Sequence, residues 1–221
     1  MQEIPIDGAT RFCFVRHGET EWNAERRMQG HIDIALNAVG RRQAAAAGLF
    51  LRSCKVDAIY SSDLARAWST ALAIGTACGL KPEAARELRE RCMGVFEGMT
   101  YVEAEARHPD LYARFDGRDP DLDLDTGESL RQMHARITDK ISALEAAHRG
   151  QCLVVVVHGG VLDIINRFVR GHPLHTARDF LIPNAGLNWV SCRAGRWKIE
   201  SWGETAHLDA LDLAALDELP S

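Results

Sequence analysis

The chain has 221 residues, 46% of them apolar, and a formal net charge of −5. That length suits one domain, with or without an insertion, and the apolar share is ample for a buried core. The acidic balance argues against a nucleic-acid-binding surface, so any anion site has to be a local concentration of positive charge.

In chain order, Arg11–Val15 (RFCFV) is a short apolar run that stops at a charged motif, the pattern of a buried strand. Gly40–Ser53 is rich in helix formers, and Val56–Tyr60 reads as a second strand. Asp63–Cys78 is predicted helical, with Ser61, Ser62 or Asp63 as its N-cap, and Pro82–Leu88 is a weaker strand. From Tyr101 to Glu128 the chain turns polar, acidic and loop-rich, with short helical pieces at best. Ser129–His148 places Leu130, Met133, Ile137, Ile141 and Leu144 on one face of an amphipathic helix. Gln151–Val157 (QCLVVVV) is apolar almost throughout, as expected of a central parallel strand, and Val161–Val169 is helical. Gly186–Arg193 and Arg196–Trp202 flank a turn at Ala194–Gly195 and predict a terminal hairpin. Strands alternating with helices give an α/β fold: a three-layer αβα sandwich around a mostly parallel sheet. The whole chain, residues 1–221, reads as one domain, with a cap insertion at about 101–128 and an acidic tail at about 204–221.

Four polar motifs follow strand candidates directly: Arg16-His17-Gly18-Glu19-Thr20, Ser61-Ser62-Asp63-Leu64-Ala65-Arg66, Arg89-Glu90-Arg91 and His158-Gly159-Gly160. Right-handed crossovers bring the carboxyl ends of parallel strands to one sheet edge, where open α/β folds bind ligands. The gathered groups suit phosphate-ester chemistry. Arg16 and Arg66 can fork onto phosphoryl oxygens and stay charged. His17 or His158 can attack phosphorus through a neutral ring nitrogen. Glu90 is the best-placed carboxylate to donate a proton to the leaving group. Gly18 lets backbone approach a phosphate, and Gly159–Gly160 opens a helix whose first amides favour an anion.

Arg16-His17-Gly18-Glu19-Thr20-x-Trp22-Asn23 resembles the signature of the histidine phosphatase superfamily, which includes the cofactor-dependent phosphoglycerate mutases. The resemblance continues through Arg27-Met28-Gln29-Gly30, Tyr60–Ala67, Leu88-x-Glu90, Gly94, Glu97-Gly98, Gly127-Glu128-Ser129 and His158-Gly159-Gly160. These motifs stand in the family's order between Arg11 and about Trp202. The resemblance implies that His17 becomes a phosphohistidine and that His158 helps hold the transferred group. It makes Arg16 and Arg66 the clamp, and Glu90 proton donor and then base for the incoming water. It adds Asn23, Gln29, Gly30 and Gly159 to the phosphate- or substrate-binding residues. No metal or organic cofactor is implied for a phosphatase of this kind. Two departures, Ala35 where a Pro is usual and Thr126 ahead of Gly127, bear on substrate fit and leave the chemistry intact.

The leading expectation is a phosphomonoesterase working on a small phosphorylated metabolite. A phosphoglycerate mutase, using 2,3-bisphosphoglycerate, is the alternative on the same centre, and a catalytically inactive phosphate-binding scaffold ranks third. A mutase has to retain a bisphosphate, yet Tyr101–Glu128 sets Arg107, Arg114 and Arg118 against nine acidic residues; Arg27 and Arg91 are the other candidate cations. Blander roles remain for some residues: Glu90 as the partner of Arg89 or Arg91, Asn23 as a helix cap, and Cys92 as packing near the pocket. Asp121-x-Asp123-x-Asp125 lacks the glycine and glutamate of a calcium loop, and His172 and His175 read as surface residues. Met1–Thr10 lacks a signal-peptide pattern, and the longest apolar run, Cys152–Val157, is too short for a membrane span. Six scattered cysteines without a C-x-x-C pair fit a reduced cytoplasm. The remaining expectations are no nucleic-acid or membrane partner, and a possible homodimer.

Overall fold

The computed structural model describes residues 8–209 and 216–217. Six strands among them are β1 (Thr10–Arg16), β2 (Ala58–Ser61), β3 (Glu83–Ala84), β4 (Cys152–Val157), β5 (Leu187–Arg193) and β6 (Arg196–Glu204). They form one sheet in the order β3-β2-β4-β1-β5-β6. The first four strands run parallel, while β5 joins β1 antiparallel and carries β6 as a hairpin partner. The helices are α1 (Glu21–Ala24), α2 (Ala38–Leu51), α3 (Ala65–Cys78), α4 (Tyr101–Arg107), α5 (Pro109–Asp116), α6 (Leu130–Ala147), α7 (Gly159–Arg170) and α8 (Ala206–Asp209).

β4 lies between β1 and β2, so both its edges are paired, and helices cover both its faces, which accounts for its unbroken apolar sequence. The pleat sends successive side chains to opposite faces. Phe12, Phe14, Leu153, Val155 and Val157 pack with Met133, Ile137 and Ile141 of α6 and with Val161, Leu162, Ile164 and Ile165 of α7. Cys13, Val15, Cys152, Val154 and Val156 pack on the other side with Ala47 and Leu51 of α2 and with Ala67, Ala71 and Ile74 of α3. Each large apolar side chain taken fully out of water contributes roughly 1.5–3 kcal/mol, so two such cores hold the three layers together. The expected αβα sandwich is therefore present.

Tyr101–Glu128 is more ordered than its composition suggests. Thr100 starts α4 with a reciprocal capping box to Glu103, and Pro109 opens α5. Phe96, Met28, Ala104, Leu122 and Leu124 form a third, smaller core there, with Tyr112 and Phe115 against it.

Several boundaries differ from the sequence reading. Pro82–Leu88 is a strand only at Glu83–Ala84 and then turns into a 3-10 segment, Arg86–Leu88. The N-cap of α3 is Leu64, which supplies no side-chain bond, so Ser61, Ser62 and Asp63 do not cap it. Asp63 is instead drawn into a forked ion pair with Arg89, at 2.6 and 2.7 Å. The first amide of α3, Ala65 N–H, donates to Asp33 Oδ1 at 2.6 Å from a distant loop. The acidic tail falls largely on residues outside those described; within them, Leu208 of α8 is buried beside Ala46 of α2.

Candidate active site

Strand register decides which motifs meet. Arg16 pairs with Val157 across β1 and β4, and Ser61 pairs with Val156 across β2 and β4. The chain therefore leaves all three strands at one edge, and His17 N–H still donates to Val157 O at 3.0 Å. The rings of His17 and His158 consequently stand 5.1 Å apart, centroid to centroid, at 60°.

His17 is 3% exposed, and its Nδ1–H donates to Gly18 O at 2.7 Å. A carbonyl can only accept, so the neutral ring carries its proton on Nδ1 and keeps a lone pair on Nε2. Gly18 and Gly40 touch so closely that a methyl group on either would overlap the other's segment, which locks this loop onto the first turn of α2. Gly18 N–H donates to Thr70 Oγ1 at 3.1 Å and Glu19 N–H to Gln43 Oε1 at 2.9 Å. His158 is fully buried, and neither ring nitrogen has a protein partner among the described residues.

Arg16 and Arg66 are 4% and 1% exposed. Arg16 Nη1 donates to Ile182 O at 2.7 Å, and Arg66 donates to Ile32 O and Gly30 O at 3.0 and 2.8 Å. Burial pushes the Arg66 guanidinium down to about 10, with Glu90 and Asp33 opposing, so it stays cationic at neutral pH. Desolvation lowers the pKa of both imidazoles well below that of an ordinary histidine, and the cations of Arg66 and Arg16 lower it further. Two fixed positive charges thus surround two neutral rings, an arrangement that favours a dianionic phosphoryl group.

Glu90 lies on an irregular segment and turns its carboxylate into the start of α7. Oε2 accepts Gly160 N–H at 2.9 Å and Oε1 accepts Arg91 N–H at 2.7 Å. A Cβ on Gly160 would overlap Glu90 Oε1, so the glycine admits the carboxylate. The simple ion pair with Arg89 or Arg91 is not formed: Arg89 holds Asp63, and Arg91 donates to the carbonyls of Glu128 and Leu122.

A cavity of about 450 Å³ opens beside Arg16, Glu90, Gly159 and Gly160. Tyr101, Tyr112 and Phe115 wall it from α4 and α5, and Arg178, Arg118 and Asp163 add charge at its far side.

Residues 12–205 match the family model described as histidine phosphatase superfamily (branch 1). The chain belongs to the histidine phosphatase superfamily. It is 39% identical over 199 residues to phosphoglycerate mutase-like protein 4 of Arabidopsis thaliana, covering 88% of this chain and 85% of that one. It is 38% identical over 215 residues to a metal-independent phosphoserine phosphatase of Arabidopsis thaliana, covering 95% and 88%. A solved mycobacterial glucosyl-3-phosphoglycerate phosphatase superposes with a TM-score of 0.78 at 29% identity, covering 89% of this chain and 100% of that one. The expected enzyme class, a phosphatase or phosphoglycerate mutase-like phosphotransferase, agrees with these relatives.

Within this histidine phosphatase, the sequence-predicted residues Arg16, His17, Arg66, Glu90, His158 and Gly159 gather at one edge. Gln29 is 8% exposed with no partner on its Oε1 among the described residues, and Gly30 contributes its carbonyl to Arg66. Asn23 fills the bland role foreseen for it, capping α1: its Oδ1 accepts Thr20 N–H at 3.0 Å. It also touches the site's framework through Asn184, whose Nδ2 donates to His17 O at 3.1 Å and to Asn23 Oδ1 at 3.5 Å. Cys92 does not line the cavity; its thiol faces Thr126 O.

The sequence reading missed Thr70, Gln43, Asn184, Asp163, Arg136 and Arg178. Gln43 and Thr70 were findable as polar residues on otherwise apolar helix faces. The others carry no local signal. No helix among the described residues is long and apolar enough to cross a membrane.

The depressed imidazoles make stability pH-dependent. Below the ordinary histidine pKa of about 6.5 the unfolded chain takes up protons that the native site refuses, so stability falls as pH falls. The slope is about 1.4 kcal/mol per pH unit for each ring while pH lies between its two pKa values. The Tm of the phosphate-free protein is expected to drop between about pH 6.5 and 5.5, and to drop less steeply in His158→Asn. Equal slopes in a thermal-melt series would contradict the neutral assignment of His158.

Proposed function

We propose that the chain is a phosphomonoesterase that forms a phosphohistidine on His17. The observation that carries this reading is the fixed tautomer of His17. Its Nδ1 is held by Gly18 O, which leaves the Nε2 lone pair for attack, and its ring stands 5.1 Å from that of His158 with the cations of Arg66 and Arg16 acting on it. Among the described residues His158 has no comparable bond to fix a tautomer, which favours His17 as the nucleophile.

In the first step His17 Nε2 attacks phosphorus, the bond from phosphorus to the ester oxygen breaks, and Glu90 protonates the departing alkoxide. In the second step Glu90, now a carboxylate, takes a proton from water as that water attacks phosphorus. The nitrogen–phosphorus bond breaks, inorganic phosphate leaves, and His17 is neutral again. Arg16, Arg66 and His158 balance the charge on the phosphoryl oxygens in both steps, and the start of α7 adds its favourable dipole. Nothing in this sequence requires a metal ion or organic cofactor. Phosphate binding through Asn23, Gln29 and Gly30 would complete the pocket on its loop side.

The substrate class is a small phosphorylated metabolite whose leaving group fills the adjoining cavity. The relatives named as phosphoglycerate mutase-like supply the second reading. The charges foreseen for a bisphosphate are mostly spent: Arg114 pairs with Asp119, Arg27 with Glu25 and Glu103, and Arg118 with Asp163. This favours hydrolysis. When 3-phosphoglycerate is offered with and without 2,3-bisphosphoglycerate beside a panel of phosphate esters, free phosphate is the expected product. Prompt formation of 2-phosphoglycerate would instead identify a mutase.

A further inference from the structure

The carboxylate assigned above as proton donor sits on a segment with no regular structure. Glu90 follows the 3-10 turn Arg86–Leu88 and precedes another at Gly94–Phe96, so no helix or sheet ladder fixes its backbone. Fixation comes from side chains on other elements. His31 Nε2–H donates to Glu90 O at 2.9 Å. Arg136, on the second turn of α6, does more. Its Nη1 donates to Glu87 O at 2.6 Å and to Arg89 O at 3.0 Å, and its Nη2 reaches Glu90 O at 3.5 Å. The other edge of the same guanidinium forks onto Glu128, with Nε at 2.8 Å from Oε1 and Nη2 at 2.6 Å from Oε2.

We infer that Arg136, oriented by Glu128, is a positioning residue that sets Glu90 for proton transfer. This rests on the proton-donor reading of Glu90. The planar fork explains why an arginine is used: one edge is held by a carboxylate, and the other spans the carbonyls of three nearby residues. A lysine has one compact head and cannot satisfy both edges together. All three guanidinium nitrogens of Arg136 are taken up by Glu128 and by the carbonyls of Glu87, Arg89 and Glu90, and the residue does not line the cavity, so it is assigned no contact with the phosphoryl or leaving group. Its effect passes through geometry: a proton donor has to come within about 2.6–3.2 Å of its acceptor. A misplacement of about 1 Å can cost on the order of 10²-fold.

The test compares Arg136→Ala, Arg136→Lys, Glu128→Gln and Glu90→Gln on two esters. O-phosphoserine has an alkoxide leaving group that needs a proton; p-nitrophenyl phosphate has one that leaves readily without it. Arg136→Ala is expected to lower kcat on O-phosphoserine about 10–100-fold, with KM and p-nitrophenyl phosphate turnover little changed. Arg136→Lys should recover part of the loss, and Glu128→Gln should show the same selectivity more weakly. In a Glu90→Gln background, Arg136→Ala should add less than about threefold, because the group it positions is already gone.

Equal losses on both esters, or full additivity with Glu90→Gln, would overturn the inference and leave Arg136 a purely structural ion pair. If Arg136→Ala does not fold, the lysine and Glu128→Gln variants decide by the same selectivity. If Glu90→Gln itself shows no selectivity, the proton-donor reading falls and this inference falls with it. Selectivity in Glu90→Gln but not in the clamp variants removes the inference alone.

Discussion

His17→Ala is expected to reduce kcat/KM on phosphate monoesters by about 10⁴–10⁶-fold, the scale seen when a covalent catalyst loses its nucleophile or that nucleophile's immediate partner. The reason is structural as well as chemical. The bond from Nδ1–H to Gly18 O leaves one ring nitrogen for attack, and burial, reinforced by the flanking Arg66 and Arg16, keeps the ring neutral. A labelled phosphate ester, quenched in alkali during turnover, should leave label on wild-type protein as an alkali-stable phosphohistidine and none on His17→Ala. Label retained in the variant, or mapped to His158, would reassign the nucleophile. An inactive scaffold would show no turnover in either protein, so the same pair of assays excludes the non-enzymatic alternative.

Glu90→Gln is expected to slow O-phosphoserine hydrolysis by about 10²–10⁴-fold and p-nitrophenyl phosphate hydrolysis far less. Glutamine keeps the size and can still accept Gly160 N–H, which in wild type lies 2.9 Å from Oε2. It has no acidic proton to give an alkoxide. The substitution therefore separates proton transfer from packing better than alanine, which would also uncap α7. Equal losses on the two esters would count against Glu90 as the acid of the first step.

Much of this site was readable from residue order. Each of the motifs at Arg16, Arg66 and His158 follows an apolar strand, and parallel strands bring such positions to one edge. The register then does what the pattern implies, since Arg16 pairs with Val157 and the next residue of each strand is a histidine. The strand expected at Pro82–Leu88 was less readable. Only Glu83 and Ala84 pair with β2, because the chain tightens into a 3-10 turn that delivers Glu90 to α7. The acidic stretch Tyr101–Glu128 looked loop-like because its few apolar residues have no long helical period. Met28 and Phe96, from outside the stretch, complete its small core.

The sequence by itself determined the αβα layering and the list of candidate reacting groups, because both follow from local periodicity and from polar residues at strand ends. It also carried the family membership, through an ordered set of motifs. Only the tertiary structure decided how those groups are held. The two helices that begin at the site, α3 and α7, have no side-chain cap of their own. Asp33 and Glu90 satisfy their first amides from remote loops, and Arg136 holds the segment that brings Glu90 there. Helix-start amides need an acceptor, but nothing requires it to be a neighbour in sequence. Such partners become visible only once the sheet order has placed the loops side by side.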